Sequence, residues 1–259
     1  MDTIKNLYAT ELFEAENNVE EVQALTERDN DLTVEDAYDI QLEVAELKKK
    51  QGKKIIGKKV GLTSKAMQDM LGVDEPDYGH LFDDMIIENR SVVDTSKMIA
   101  PKVEAEIGFM LNDNLTGPNI TFLDVIMATD YVIPTFEIID SRIADWKIKL
   151  IDTIADNGSS SKVVIGNGKK RLDEINLQTN GMALKKNNKI VATGTGAAAL
   201  GHPAEAVAWL ANKLSDYGIS LEKGELILPG ALSGALTVNA SEKVIADFGP
   251  LGDVEATFQ

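Results

Sequence analysis

Two glutamates, Glu104 and Glu106, stand in the run Lys102-Val103-Glu104-Ala105-Glu106-Ile107-Gly108-Phe109. The run alternates strictly. In a strand, residues i and i+2 share a face, so both carboxylates point one way while Val103, Ala105 and Ile107 point the other. Like charges about 7 Å apart along a strand repel, and a shared cation would relieve the repulsion. A half-buried strand with one wet acidic face fits the same pattern. Glu137 lies in the apolar stretch Tyr131-Val132-Ile133-Pro134-Thr135-Phe136-Glu137-Ile138-Ile139-Asp140. An acid in such surroundings is rarely buried without a partner. It is an edge-strand acid, an acid paired with Arg142, or a metal ligand. Three converging carboxylates would make a facial oxygen site for an octahedral cation, leaving positions for water and a chelating substrate.

Composition limits what such a site could hold. The chain of 259 residues has no cysteine and only two histidines, His80 and His202. Thiolate chemistry and multi-imidazole zinc are excluded, and an oxygen-rich site favours Mg²⁺, Mn²⁺ or Ca²⁺. The formal charge is −16, which argues against a nucleic-acid partner. An acidic surface also repels an anionic substrate, so binding of a carboxylate requires a local feature such as a bound cation. The N-terminus carries acids rather than a long apolar run, and no window is long and apolar enough to span a bilayer. The expectation is a cytoplasmic protein with no membrane partner.

The elements that must position these residues fall into two textures. Residues 1–52 read as a helical N-terminal segment. Thr33 and Asp36 resemble a capping box, Ala37, Ile40, Val44 and Leu47 recur at helical spacing, and Gly52 can close the helix. Residues 53–259 read as one β-rich catalytic unit, in which short β-prone runs alternate with Gly, Pro, Asn and Asp. Strands are expected at Lys54–Lys59, Ala105–Leu111, Tyr131–Ile138, Val163–Ile165, Gly181–Lys185, Ile190–Ala192, Leu226–Leu228, Leu236–Val238, Val244–Phe248 and Val254–Phe258. Further helices are expected at Ser64–Leu71, Phe122–Ala128 and Pro203–Tyr217. The fold class is α+β with a large β portion.

Other motifs carry less. Gly194-Thr195-Gly196-Ala197-Ala198-Ala199 matches a dinucleotide-binding fingerprint in form. The glycines do not open the helix that starts near Pro203, and the strand Leu226–Leu228 ends in Pro229-Gly230 rather than a ribose-binding acid. His80 and His202 suit capping or packing, and Trp146 and Trp209 suit packing.

Several unusual segments occur together in order: Gly57-Lys58-Lys59-Val60-Gly61-Leu62-Thr63-Ser64, Glu75-Pro76-Asp77-Tyr78-Gly79, Pro101-Lys102-Val103-Glu104-Ala105-Glu106-Ile107, Phe136-Glu137-Ile138-Ile139-Asp140-Ser141-Arg142, Ala155-Asp156-Asn157 and Gly201-His202-Pro203. From about residue 34 onward the chain resembles the 2-keto-4-pentenoate hydratase family of the fumarylacetoacetate hydrolase superfamily. The resemblance implies a mixed β-roll or β-sandwich with a helical N-terminal part, assembled as a homo-oligomer. It also implies Mg²⁺ or Mn²⁺ held by Glu104, Glu106 and Glu137, catalytic roles for Lys59 and Asp77, and substrate binding by Asn157 and Ser159.

The implied reaction is metal-dependent hydration of 2-hydroxypenta-2,4-dienoate to 4-hydroxy-2-oxopentanoate, as in aromatic-compound catabolism. The alternative is decarboxylation of 2-oxo-3-hexenedioate on the same scaffold, for which Lys147, Lys149 or Arg142 could receive a second carboxylate. A non-catalytic metal-binding subunit would not need Lys59 and Asp77. Lys59 is expected to have a lowered pKa, through desolvation beside a cation, so as to trade protons near neutrality.

Overall fold

The computed structural model describes residues 2–65, 68, 69 and 72–259. The chain opens with helices Asp2–Asn18, Leu25–Arg28 and Val34–Lys50. The third starts at the expected capping box, with Thr33 accepting from the Asp36 amide and Asp36 from the Thr33 amide. The expected helix Ser64–Leu71 falls partly outside the described residues. Helix Phe122–Ala128 has the expected bounds, and helix Pro203–Ser215 ends two residues before Tyr217. Among the described residues, no helix is long and apolar enough to cross a membrane.

The strands are β1 (Ile55–Gly61), β2 (Asp77–Phe82), β3 (Ile86–Glu88), β4 (Val92–Val93), β5 (Lys102–Leu111), β6 (Thr129–Ile139), β7 (Ser160–Ile165), β8 (Gly181–Lys186), β9 (Lys189–Thr195), β10 (Leu226–Leu228), β11 (Leu236–Thr237), β12 (Lys243–Asp247) and β13 (Asp253–Phe258). They form two mixed sheets. One runs β2-β1-β10-β5-β6-β7-β3 with β11 also on β5, and the other runs β4-β13-β12-β8-β9.

The larger sheet must curl. β2 and β3 stand at opposite ends of its strand order, yet only the turn Asp83–Met85 separates them. Three residues span at most about 11 Å. The inner face of this roll divides in two. At one end Leu81, Val163, Leu226 and Leu228 form a small apolar cluster, with Met110, Ile133 and Ile165 packed against it. On the same face, nearer the start of β5, lie Glu104 and Glu106. The outer face carries Val103, Ala105, Ile107, Phe109, Phe136 and Ile138 into the main core, which also includes Tyr38, Ile40 and Val44 of the third helix. The strict alternation read in the sequence thus separates a buried apolar face from a chemical one.

Three strands, β2, β3 and β4, lie outside the sequence expectations. β3 and β4 are too short for a pattern to register. β2 is Asp-Tyr-Gly-His-Leu-Phe with every residue buried, so both its faces are covered and it shows no hydrophobic alternation. Asp77 therefore opens a strand; it is not a turn residue.

Candidate active site

β5 and β6 pair antiparallel, with Glu104 directly opposite Glu137 and Glu106 opposite Thr135. Directly opposed side chains on a sheet are near neighbours. Glu104, Glu106 and Glu137 each bring one carboxylate oxygen to within 4.8 Å of the others. Glu106 and Glu137 are fully buried, and Glu104 is half-buried. Glu137 is not an edge-strand acid, because β6 is paired on both sides by β5 and β7. Nor does Arg142 pair with it: that guanidinium bonds Asp156, Nε to Oδ1 at 2.6 Å.

The cluster fits a hard divalent cation. Among the described residues, both oxygens of Glu137 and Oε1 of Glu106 are buried without a hydrogen-bond partner. Unpartnered buried carboxylate oxygens are costly, and an ion with oxygen ligands would satisfy them together. The remaining Glu106 oxygen, Oε2, accepts from the Gly230 amide at 2.8 Å, which fixes the carboxylate's orientation. Gly230 follows β10, and nothing in the sequence marked it.

Burial drives the electrostatics. Desolvation, with the neighbouring Glu137 and Asp77 charges, pushes Glu104 up to about 7. Desolvation and the charges of Glu137 and Glu104 push Glu106 well above the usual carboxylate range. Desolvation also raises Glu137, partly offset by Lys59. An acid whose folded pKa is raised contributes stability fully present below its unfolded value. That stability is lost as pH rises through the folded value. The metal-free protein is therefore expected to lose the Glu104 contribution between about 4.5 and about 7. Melting temperatures recorded across that range should fall less steeply in Glu104→Gln than in the parent, and an identical slope would contradict the assignment.

Lys59 and Asp77 reach the same place from β1 and β2. Lys59 pairs with Gly79 across the ladder, and Asp77 with Gly61. The Lys59 Nζ lies 3.5 Å from Glu137 Oε1, both side chains being buried. Asp77 Oδ2 accepts from Thr153 Oγ1 at 3.3 Å, and Oδ1 is buried without a partner among the described residues. A Cβ on Gly61 would lie 2.1 Å from Asp77 Oδ1 and 3.1 Å from Lys59 Nζ. Only glycine leaves room there for the acid.

The expected lowering of the Lys59 pKa presupposes a bound cation; the surrounding acids alone act the other way. Burial does pull it down, but the charges of Glu137, Asp77, Glu104 and Glu106 outweigh burial and hold the ammonium above the ordinary lysine range. Asp77 moves upward, chiefly through desolvation. The pair is thus a charged ammonium beside an acid of raised pKa; the acids oppose proton release from Lys59, and a cation bound among them would ease it.

Asn157 and Ser159 lie in the turn Asn157–Ser159, but their side chains are engaged away from the carboxylates. Asn157 Oδ1 accepts from the His80 amide at 2.7 Å and its Nδ2 donates to the His80 carbonyl at 2.9 Å. Ser159 Oγ donates to Asp156 Oδ2 at 2.9 Å. The three residues of the turn all have positive φ, 57°, 59° and 53°. This strained backbone brings Gly158 onto the Lys59 side chain, where an added Cβ would lie 3.1 Å from Nζ. Gly158→Ala is expected to cost about 1–2 kcal/mol through its left-handed backbone and to slow turnover by displacing Lys59. Thermal unfolding and kcat check both effects, and a variant with parental kcat would show that the turn does not position Lys59.

The histidines have structural settings. His202 caps helix Pro203–Ser215, its Nδ1 accepting from the Ala204 amide at 3.0 Å. His80 is buried beside Tyr78, and desolvation pulls its pKa down to about 3. The glycines of the dinucleotide-like run are closed off by backbone: Cβ atoms on Gly194 and Gly196 would each lie 1.9 Å from a carbonyl oxygen.

No protein-family model matches the chain. A 2-hydroxypent-2,4-dienoate hydratase of Pseudomonas putida is 47% identical over 219 residues, covering 84% of this chain and 99% of the relative. The chain belongs to the 2-keto-4-pentenoate hydratase family. A 2-hydroxyhexa-2,4-dienoate hydratase of Comamonas testosteroni is 44% identical over 234 residues, covering 90% of this chain and 89% of that relative. Among solved structures, the 4-oxalocrotonate decarboxylase of Pseudomonas putida G7, complexed with magnesium and adipate, is 39% identical. It superposes with a TM-score of 0.98 over 100% of this chain and 98% of its own. A fumarylacetoacetate hydrolase family protein of Yersinia pestis, 13% identical, gives a TM-score of 0.59 over 79% of this chain and 94% of its own. The family's fold is thus the fumarylacetoacetate hydrolase fold, and within it the three-carboxylate cluster lies inside the roll.

Proposed function

We propose that this protein is a divalent-metal-dependent hydro-lyase that adds water to 2-hydroxypenta-2,4-dienoate, giving 4-hydroxy-2-oxopentanoate. The observation that carries the reading is the convergence of three carboxylates, two of them buried with unpartnered oxygens, beside the Lys59–Asp77 pair. The names of the relatives at 47% and 44% identity point to the same chemistry.

Glu104, Glu106 and Glu137 would hold Mg²⁺ or Mn²⁺. Such a cation would neutralise the substrate carboxylate and stabilise negative charge on the C2 oxygen. Lys59 and Asp77 move the protons. The enol proton leaves the C2 oxygen and C5 gains one, producing the conjugated 2-oxo-3-enoate. Water then adds across C3 and C4, its hydroxyl to C4 and a proton to C3. Lys59 serves as proton donor and Asp77, whose Oδ1 is unpartnered among the described residues, as acceptor. Asn157 and Ser159 support the turn that covers Lys59. The roll excludes bulk water on its apolar side. The assignment extends to a cytoplasmic homo-oligomer acting in aromatic-compound catabolism; sedimentation of the purified protein as a monomer would remove the oligomer from it.

The sister decarboxylase is the second reading, favoured by the 0.98 TM-score. Of the cations considered for a second carboxylate, Arg142 is committed to Asp156, Lys147 donates to Asp145 at 2.8 Å on the exposed surface, and Lys149 is exposed with no ion pair among the described residues. Incubation with 2-oxo-3-hexenedioate and Mg²⁺ separates the two. The hydratase is expected to release no CO₂, and CO₂ release at a rate matching or exceeding dienoate turnover would transfer the assignment.

A further inference from the structure

Along β5 the inner face presents Lys102, Glu104, Glu106 and Gly108 in succession. Lys102 and Glu104 are half-buried, whereas Glu106 and Gly108 are buried. Lys102 therefore stands at the opening of the site, one step outside the carboxylates. The chain has 42 acidic residues against 26 Lys and Arg, yet Lys102 forms no ion pair among the described residues. Its ammonium lies instead over the Trp146 ring, 3.7 Å from the centroid. That ring is anchored, since Trp146 Nε1 donates to the Ala100 carbonyl at 2.9 Å. A cation over an aromatic face keeps its charge while one side is shielded from water, leaving N–H groups for an anion. Nearby, Lys59 pairs with Glu137, Arg142 with Asp156 and Lys147 with Asp145.

We propose that Lys102, held on Trp146, binds the 1-carboxylate of the 2-oxo-acid substrate. The inference rests on the proposed function for the class of ligand. The reacting carbons must lie against Lys59 and Asp77, which stand on β1 and β2. Lys102 stands on β5, about 7 Å along the strand from Glu104. The end of the ligand it meets is therefore the one beside the carboxylate cluster, which every 2-oxo acid shares, and not the variable tail. This also accounts for how a chain of charge −16 admits an anion. A positive charge at the opening offsets local repulsion before the substrate reaches the buried acids.

Calorimetric titration of the Mg²⁺-loaded protein with 2-oxopentanoate, a saturated 2-oxo acid that cannot be hydrated, tests this without turnover. 2-Oxohexanedioate serves as the ligand with a second carboxylate, and Mg²⁺ alone as the control. Lys102→Met is expected to weaken both acids by the same factor, at least about ten-fold, and Lys102→Arg by no more than about three-fold. Mg²⁺ binding should match the parent in both variants. Parental affinity for 2-oxopentanoate in Lys102→Met would overturn the proposal. So would a loss confined to 2-oxohexanedioate, which would place Lys102 at the substrate tail, or a loss equalled in Mg²⁺ binding. All three outcomes leave the proposed function standing. Failure of the parent protein itself to bind either acid would overturn that function along with this inference.

Discussion

Glu106→Gln is expected to lower metal-dependent turnover at least about a thousand-fold, because it removes a negatively charged ligand from the cation that must hold charge in the transition state. The same substitution should stabilise the metal-free protein. Glu106 is fully buried with a pKa well above the usual range, so above that pKa the fold bears the cost of an ionised, crowded carboxylate. A neutral amide removes it. Mg²⁺ should raise the melting temperature of the parent, since a ligand bound only by the native state stabilises it, and should leave that of Glu106→Gln nearly unchanged. Differential scanning calorimetry with and without Mg²⁺, beside kcat, reads all three effects. Full activity in this variant would remove Glu106 from the ligand set.

Lys59→Met is expected to lower kcat by about 10²–10⁴-fold, the usual range for loss of a positioned proton carrier. Its effect on the metal should run the opposite way. The ammonium is 3.5 Å from Glu137 Oε1 and interacts with Asp77, Glu104 and Glu106 as well, so it repels a second cation in the same place. Without it the metal-free protein should melt at lower temperature, because buried acids lose their counter-charge. Mg²⁺ should bind at least as tightly as in the parent. Mn²⁺ or Mg²⁺ titration beside steady-state kinetics separates the two effects. If turnover and metal affinity fell together, Lys59 would be a support for the metal site and not a proton carrier.

The strand bearing Glu104 and Glu106 was legible because one face is apolar core and the other is not, and a period of two survives in the sequence. Helix Phe122–Ala128 was legible with the bounds it has, and helix Val34–Lys50 from its capping box. The resemblance supplied Lys59 and Asp77 as partners. The strand that carries Asp77 was not legible: Asp77–Phe82 is buried on both faces, and its acid and histidine break any apolar run. Long-range closure was equally hidden. That Asp83–Met85 joins the two ends of one curled sheet depends on pairings between distant strands. Asn157 is fixed by one hydrogen bond at each end of its amide to the backbone of His80, pairings between distant segments that no local pattern shows; its second N–H and second lone pair stay open to a substrate. Four acids from three other strands converge on Lys59 and raise its pKa against burial, and no local pattern counts them.

The most direct test is turnover of freshly generated 2-hydroxypenta-2,4-dienoate by the purified protein with Mg²⁺, after EDTA, and after Mg²⁺ is restored, with the product identified by mass. The expected result is formation of 4-hydroxy-2-oxopentanoate that stops with EDTA and resumes with Mg²⁺. Hydration at an undiminished rate in EDTA, or no hydration with Mg²⁺ or Mn²⁺ present, would contradict the assignment of this carboxylate cluster as the metal centre of a hydratase.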